Sequence, residues 1–141
     1  MLSVTINDPR KVHLLLKGER KRITGGVKPL ISSYGRMIQR DIIRSMLEPK
    51  HGQIYYRGNG RYHQASAAGE APAKDTGALI DSIRVILRDA GWEAAVGSPQ
   101  PYAIYLEEGT GTIRPRPAFR PSLDRYRKPF IESVRRIVEN K

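Results

Sequence analysis

The chain has 141 residues, a formal net charge of +11 and no cysteine, which excludes disulfides and thiolate metal sites and fits a reducing interior. Charged residues make up 28% and hydrophobic ones 39%, the balance of one folded domain with a modest core rather than of a disordered chain. No apolar run approaches the length of a membrane span, and the opening MLSVTINDPRKVHLLLKGERKR places its basic residues after the apolar ones, the reverse of a secretory signal; a soluble cytoplasmic protein is expected.

The charge is unevenly spread. Residues 1–50 carry 11 Lys/Arg against 4 Asp/Glu, residues 51–110 carry 5 against 7, and residues 111–141 carry 9 against 3. Two basic ends around a near-neutral middle favour polyanions or an acidic protein surface as partners, or serve solubility alone.

In chain order, the alternation of LSVTI predicts a short strand at 2–6. Asp8-Pro9 reads as a helix start, with a short helix over about Arg10–Leu16 and a hinge at Gly25-Gly26. From Val27 to Leu47, apolar residues at Val27, Leu30, Ile31, Tyr34, Ile38, Ile42 and Met46 keep helical steps, and Pro49 ends the run. Arg36, Arg40 and Arg44 stand one turn apart on the other side, as a solvated face or a second basic contact surface. IYYRGNGRYHQ predicts two short strands about the turn Gly58-Asn59-Gly60. ASAAGEAPAK follows, and its small residues predict an exposed loop. An oxygen of Asp75 or Thr76 is placed to cap a short helix starting at Ala78-Leu79-Ile80.

SIRVILRDAGWEAAVGS predicts a hairpin: Ile83, Val85 and Leu87 alternate on one arm, Trp92, Ala94 and Val96 on the other, with Asp89-Ala90-Gly91 as the turn. Pro101 opens a short helix ended by Gly109. TGTIRPRP is a second loop. Helical spacing from Phe119 to Val138 predicts a C-terminal helix, which Pro129 should kink or split. The chain reads as a single domain over 1–141, with 1–26 as a strand–helix extension and 27–141 as a core bearing loops 58–74 and 109–117.

Catalytic chemistry finds no footing. His13, His51 and His63 have no metal-ligand spacing. Glu107 and Glu108 are adjacent on a helix and diverge by about 100°, so they do not converge as an acid–base pair. Thr110 and Ser122 have no identifiable base, and GTGT at 109–112 lacks the lysine of a phosphate loop. No enzyme activity, cofactor or metal is expected. A general basic nucleic-acid-binding module is an alternative, because YYRGNGRYH and RYRKPF interleave cations with aromatics; no zinc-finger, helix-turn-helix or RNA-recognition signature accompanies them.

Taken together, G-x-x-P-A at Gly69–Ala73, TG-x-L-x-x-SI at Thr76–Ile83, VGS at Val96–Ser98, YAIYLEEGT at Tyr102–Thr110 and RPAFRPSL at Arg116–Leu123 resemble the neck or tail-completion family of lambda-like, long-tailed bacteriophages. The likeness covers about residues 25–135. Glu108 stands where that family usually has an aromatic, and Pro129 interrupts a helix that is commonly continuous. The resemblance implies an α+β fold: a small antiparallel sheet packed against a long helix and a C-terminal helix. It makes Thr76, Gly77, Leu79, Ile83, Gly97, Tyr102 and Gly109 structural, with Leu79 and Ile83 anchoring the boundary where order begins.

It also implies a virion protein, assembled in the host cytoplasm, that forms a ring (six-fold in our reading) at the head–tail junction. Its partners would be its own copies, other neck, connector and tail proteins, and DNA in the channel contacted without sequence preference, but no membrane. The two loops would be mobile arms that order on docking, which restrains premature assembly. Arg57, Arg61, Glu70, Thr110, Arg114, Arg116 and Arg120 would then carry the contacts between subunits or to partners.

Overall fold

In the computed structural model, which describes residues 2–5 and 20–139, the apolar spacing of the first long helix becomes the core. Helix α1 spans Arg20–Leu47, and Val27, Ile31, Ile38, Ile42 and Met46 on its inner face are at most 2% exposed. The helix runs through Gly25 and Gly26, where a hinge was expected. Gly26 is a crossing point: a Cβ there would sit 3.0 Å from Cγ2 of Ile137, so close helix–helix packing outweighs glycine's weak helix propensity. The helix expected at about 10–16 lies outside the described residues.

Three strands form an antiparallel sheet in the order β1-β5-β4. They are β1 (Leu2–Thr5), β4 (Arg84–Arg88) and β5 (Glu93–Ser98). Val96 pairs with Val4 on one side and Val85 on the other. As the middle strand, β5 has Ala94, Ala95 and Val96 fully buried, so both of its faces are covered. Its partner β4 is an edge: Ile83 at its start is buried, but Leu87 near its end is 51% exposed. The expected turn is Asp89–Gly91, a single 3-10 turn with positive φ at all three residues.

A separate two-stranded sheet joins β2 (Ile54–Tyr56) to β3 (Tyr62–Gln64), as the GNG turn predicted. Helix α2 (Ala78–Ser82) is tied to β5 by a 2.6 Å hydrogen bond between the hydroxyls of Ser82 and Ser98. Helix α3 covers Ala103–Glu108 and α4 covers Phe119–Glu139. The two long helices pack on each other, and α1 also packs on β4 and β5.

Pro129 neither splits α4 nor ends it; the helix is continuous across it. Contacts on both sides of the proline explain this. Tyr34 of α1 meets Tyr126 and Phe130 edge-on at 6.3 and 5.2 Å, and its hydroxyl hydrogen-bonds that of Ser133 at 3.1 Å. Aromatic pairs of this kind each contribute about 0.5–1.5 kcal/mol beyond area burial, comparable in sum to the roughly 3 kcal/mol that proline takes from a helix interior. Tyr126 is half-buried and Phe130 buried, so these two aromatics of RYRKPF are packing residues.

The architecture is thus α+β, a small antiparallel sheet against a long helix and a C-terminal helix, as expected.

Candidate assembly interface

The region singled out by the motifs is built from the β2–β3 hairpin, the segment 65–77, helix α3 and the turn 109–117. At the hairpin tip Gly58, Asn59 and Gly60 all have positive φ, and the Arg57 amide donates to the Arg61 carbonyl at 2.8 Å. The Arg57 guanidinium donates to Asp75 at 2.8 Å, and His63 stands 3.9 Å from the same carboxylate. Asp75 therefore braces the hairpin against the loop. The expected side-chain cap does not form: the N-cap of α2 is Gly77, which has no side chain, and the Thr76 hydroxyl, one position earlier, accepts from the Ala78 amide at 3.3 Å as a local turn bond. Arg61 is exposed.

Gly77 is buried with φ 91°, a backbone that favours glycine and makes the corner into α2. Leu79 is half-buried against the core and Ile83 is 4% exposed. Gly97 is buried in β5, opposite Ser3 and Arg84.

The expectation of two independent free arms needs correction. Glu70 accepts hydrogen bonds from the amides of His51 at 3.1 Å and Ala67 at 2.8 Å, and its carboxylate also meets the His51 ring. The Gly69 amide donates to the Pro115 carbonyl at 3.0 Å, so the first loop is clasped to the second. Ser66 and Pro72 are buried, and Ala65 exchanges backbone bonds with Gly52 and Gln53. Backbone groups and the Glu70 carboxylate hold this segment, with Ala71 packed against the core, which is why small residues suffice.

The second loop is closed by its own bonds. Thr110 donates its amide to the Ile113 carbonyl at 2.8 Å, and its hydroxyl accepts from the amides of Thr112 and Ile113. Arg116 is also less free than expected: it is half-buried, and its amide donates to the Leu106 carbonyl at 2.6 Å. Arg114 and Arg120 are exposed. Glu107, set aside above as an unconverging carboxylate, is buried and accepts from the amides of Ala118, Phe119 and Arg120 at 2.8, 3.1 and 2.7 Å. No local periodicity announces that role, because the amides belong to another helix.

The exposed surface here mixes apolar and basic groups. Ile54, Tyr56 and Tyr62 on the hairpin are 60–70% exposed, and Tyr102, Ile104, Tyr105 and Ile113 near the second loop are 40–55% exposed. Tyrosine and arginine are the types enriched in protein interfaces. Arg36, Arg40 and Arg44 lie on α1 and are exposed; they belong to the helix pair rather than to the loops. Among the described residues no three His, Cys, Asp or Glu side chains are grouped to hold a metal ion, and no helix is long and apolar enough to cross a membrane.

The Glu70 clasp has a pH signature. Its carboxyl is drawn from the ordinary value down to about 2, first by the Ala67 amide and then by the His51 ring and amide. A lowered folded-state value means the stabilisation is complete above the unfolded carboxyl's ordinary range, about 4.3, and is lost as pH falls through the folded value. Amide exchange at Ala67 is expected to stay protected at pH 5 and to lose protection approaching pH 2, with Glu70→Gln removing that dependence. An NMR midpoint for Glu70 in the ordinary carboxylate range would contradict the clasp.

Compared with family models, curated proteins and solved structures, the chain matches none of them.

Proposed function

We propose that this chain is a structural component of the head–tail junction of a long-tailed bacteriophage, one copy of a ring that joins the tail to the DNA-filled head. The observation that carries the reading is the meeting of the family-like segments. Gly69 of the first bonds Pro115, which directly precedes the last; Glu107 of the YAIYLEEGT segment holds the amides of Ala118–Arg120 in the last. Motifs far apart in sequence thus build one surface, with Arg114, Arg120, Tyr105 and Ile113 exposed around it. A surface whose loops are pre-ordered docks with less loss of chain entropy than two free arms would.

Neighbouring copies or connector proteins would be recognised by acidic groups opposite the arginines, with the tyrosines filling shallow apolar sites. In a phage carrying this gene, its deletion is expected to yield filled heads and complete tails that do not join. Arg114→Ala with Arg120→Ala should leave the thermal melt unchanged and reduce joining in a complementation assay. Infectious particles at normal yield from the deletion would overturn the reading.

A further inference from the structure

We propose that the outward face of the α1–α4 pair binds the phosphate backbone of double-stranded nucleic acid without reading its sequence. Its centre is a three-residue cluster. Asp41 of α1 has a side chain only 1% exposed, and guanidinium groups from two helices close on it: Arg44 at 2.6 Å, and Arg125 of α4. Two cations share one buried anion. Both guanidiniums remain well exposed, at 67% and 59%, and an arginine fork has five donors, more than one carboxylate oxygen uses. Burial alone would raise the Asp41 carboxyl, but hydrogen bonds from Ser122 and Arg44 and the charges of Arg125 and Arg44 hold it below its ordinary value. The buried anion thus persists and keeps the two forks in place.

The cluster extends into two lines. Arg40 and Arg36 follow Arg44 at four-residue steps, about 6 Å each along the helix; both are exposed and have no carboxylate partner among the described residues. On α4, Arg136 lies eleven residues beyond Arg125, close to three whole turns and so on the same side, and it is also exposed. The carboxylates nearest these lines by position are Glu48 at the end of α1 and Asp124, Glu132 and Glu139 on α4, with Asp124 3.4 Å from Arg127; Arg127, Lys128 and Arg135, also exposed on α4, keep the helix pair net positive.

Other partners fit less well. The large apolar side chains exposed on the two helices are Met37 and Leu47 of α1, ten residues apart, and Ile131 of α4. Docking to protein wants an apolar centre, and lying in a bilayer surface wants an apolar face. A phosphate ladder, with one charge per about 1.7 Å of duplex, needs only a row of cations. Base reading in the groove draws on side-chain amides beside arginine forks, and the amide of Gln39 on α1 turns inward and donates to the Ile83 carbonyl at 2.8 Å. This inference rests on the placement of charge and stands apart from the head–tail reading.

The test is fluorescence anisotropy with two unrelated duplexes of about 30 base pairs over roughly 25–200 mM salt. The variant is Arg36→Ala, Arg40→Ala and Arg136→Ala together, which spares the two counter-charges of Asp41. Alanine is the better helix former, so folding should be retained, and circular dichroism checks it. Both duplexes should bind the native chain alike. The variant should lose at least tenfold in affinity at low salt, with the slope of log K against log salt reduced by about 2.7, or 0.9 per lost phosphate contact. Arg114→Ala with Arg120→Ala should change neither. No binding at the lowest salt, an unchanged slope in the helix variant, a loss confined to the loop variant, or a preference between the duplexes would each overturn the proposal.

Discussion

Replacing Glu107 with alanine is expected to lower the unfolding free energy by about 3 kcal/mol, the sum of unsatisfied buried donors and a lost charge at a helix start. The first amides of any α-helix lack intrahelical acceptors. In α4, the amides of Phe119 and Arg120 and that of the preceding Ala118 find theirs in the two oxygens of this one side chain. Ala118 and Phe119 are each 2% exposed, so water cannot readily replace the carboxylate. Its negative charge also faces the positive end of the helix dipole, which adds to the effect. Glu107→Gln keeps one acceptor oxygen and should lose only about 1 kcal/mol. Exposed Glu108 supplies the control: Glu108→Ala should stay within about 0.5 kcal/mol of the native chain. Urea denaturation of the three variants decides it, and equal midpoints for Glu107→Ala and Glu108→Ala would contradict the cap. Because Glu107 lies in the last turn of α3 and the amides start α4, the same bonds fix both ends of the loop that presents Arg114.

What was legible in the sequence is what repeats locally. Val27, Ile31, Ile38 and Ile42 announce their helix because one face must be apolar at helical steps. Gly58-Asn59-Gly60 and Asp89-Ala90-Gly91 announce their turns because few residues accept positive φ. Legibility stopped where a residue's role is set by a distant neighbour. Gly25-Gly26 read as a hinge because Ile137, which packs there, lies over a hundred residues away. Pro129 read as a break because Tyr34, which braces both sides of it, lies on another helix. Residues 65–73 read as unsupported because their anchors are main-chain bonds to Gly52, Gln53 and Pro115, which leave no side-chain pattern, and a Glu70 carboxylate whose partner His51 lies on a distant stretch of chain. Asp41 was invisible for a similar reason: one acidic residue among arginines reads as a solvated pair until Arg125 arrives from α4.

At Gly109 the expected loss on substitution is of the same size as at Glu107, but it comes from backbone geometry. Its φ of 76° and ψ of 177° fall in a region essentially restricted to glycine, where a side chain costs about 1–3 kcal/mol. An added Cβ would also lie 2.7 Å from the Ile113 carbonyl oxygen and 2.8 Å from Cδ of Pro115. A carbonyl and a proline ring cannot swing aside as a flexible side chain would, so overpacking adds about 1–3 kcal/mol. Gly109→Ala should therefore destabilise by about 3 kcal/mol, or the turn 110–115 must move. If it moves, the bond from the Gly69 amide to the Pro115 carbonyl breaks with it. Gly111, two residues on, has nothing within 4 Å of a built Cβ and no positive φ; alanine there should be neutral or stabilise slightly, by up to about 1 kcal/mol. Amide exchange separates the pair: protection at Gly69 should drop in Gly109→Ala and persist in Gly111→Ala. Equal protection in both would mean that the two loops are not clasped, and the surface they form would then have to be assembled at docking rather than before it.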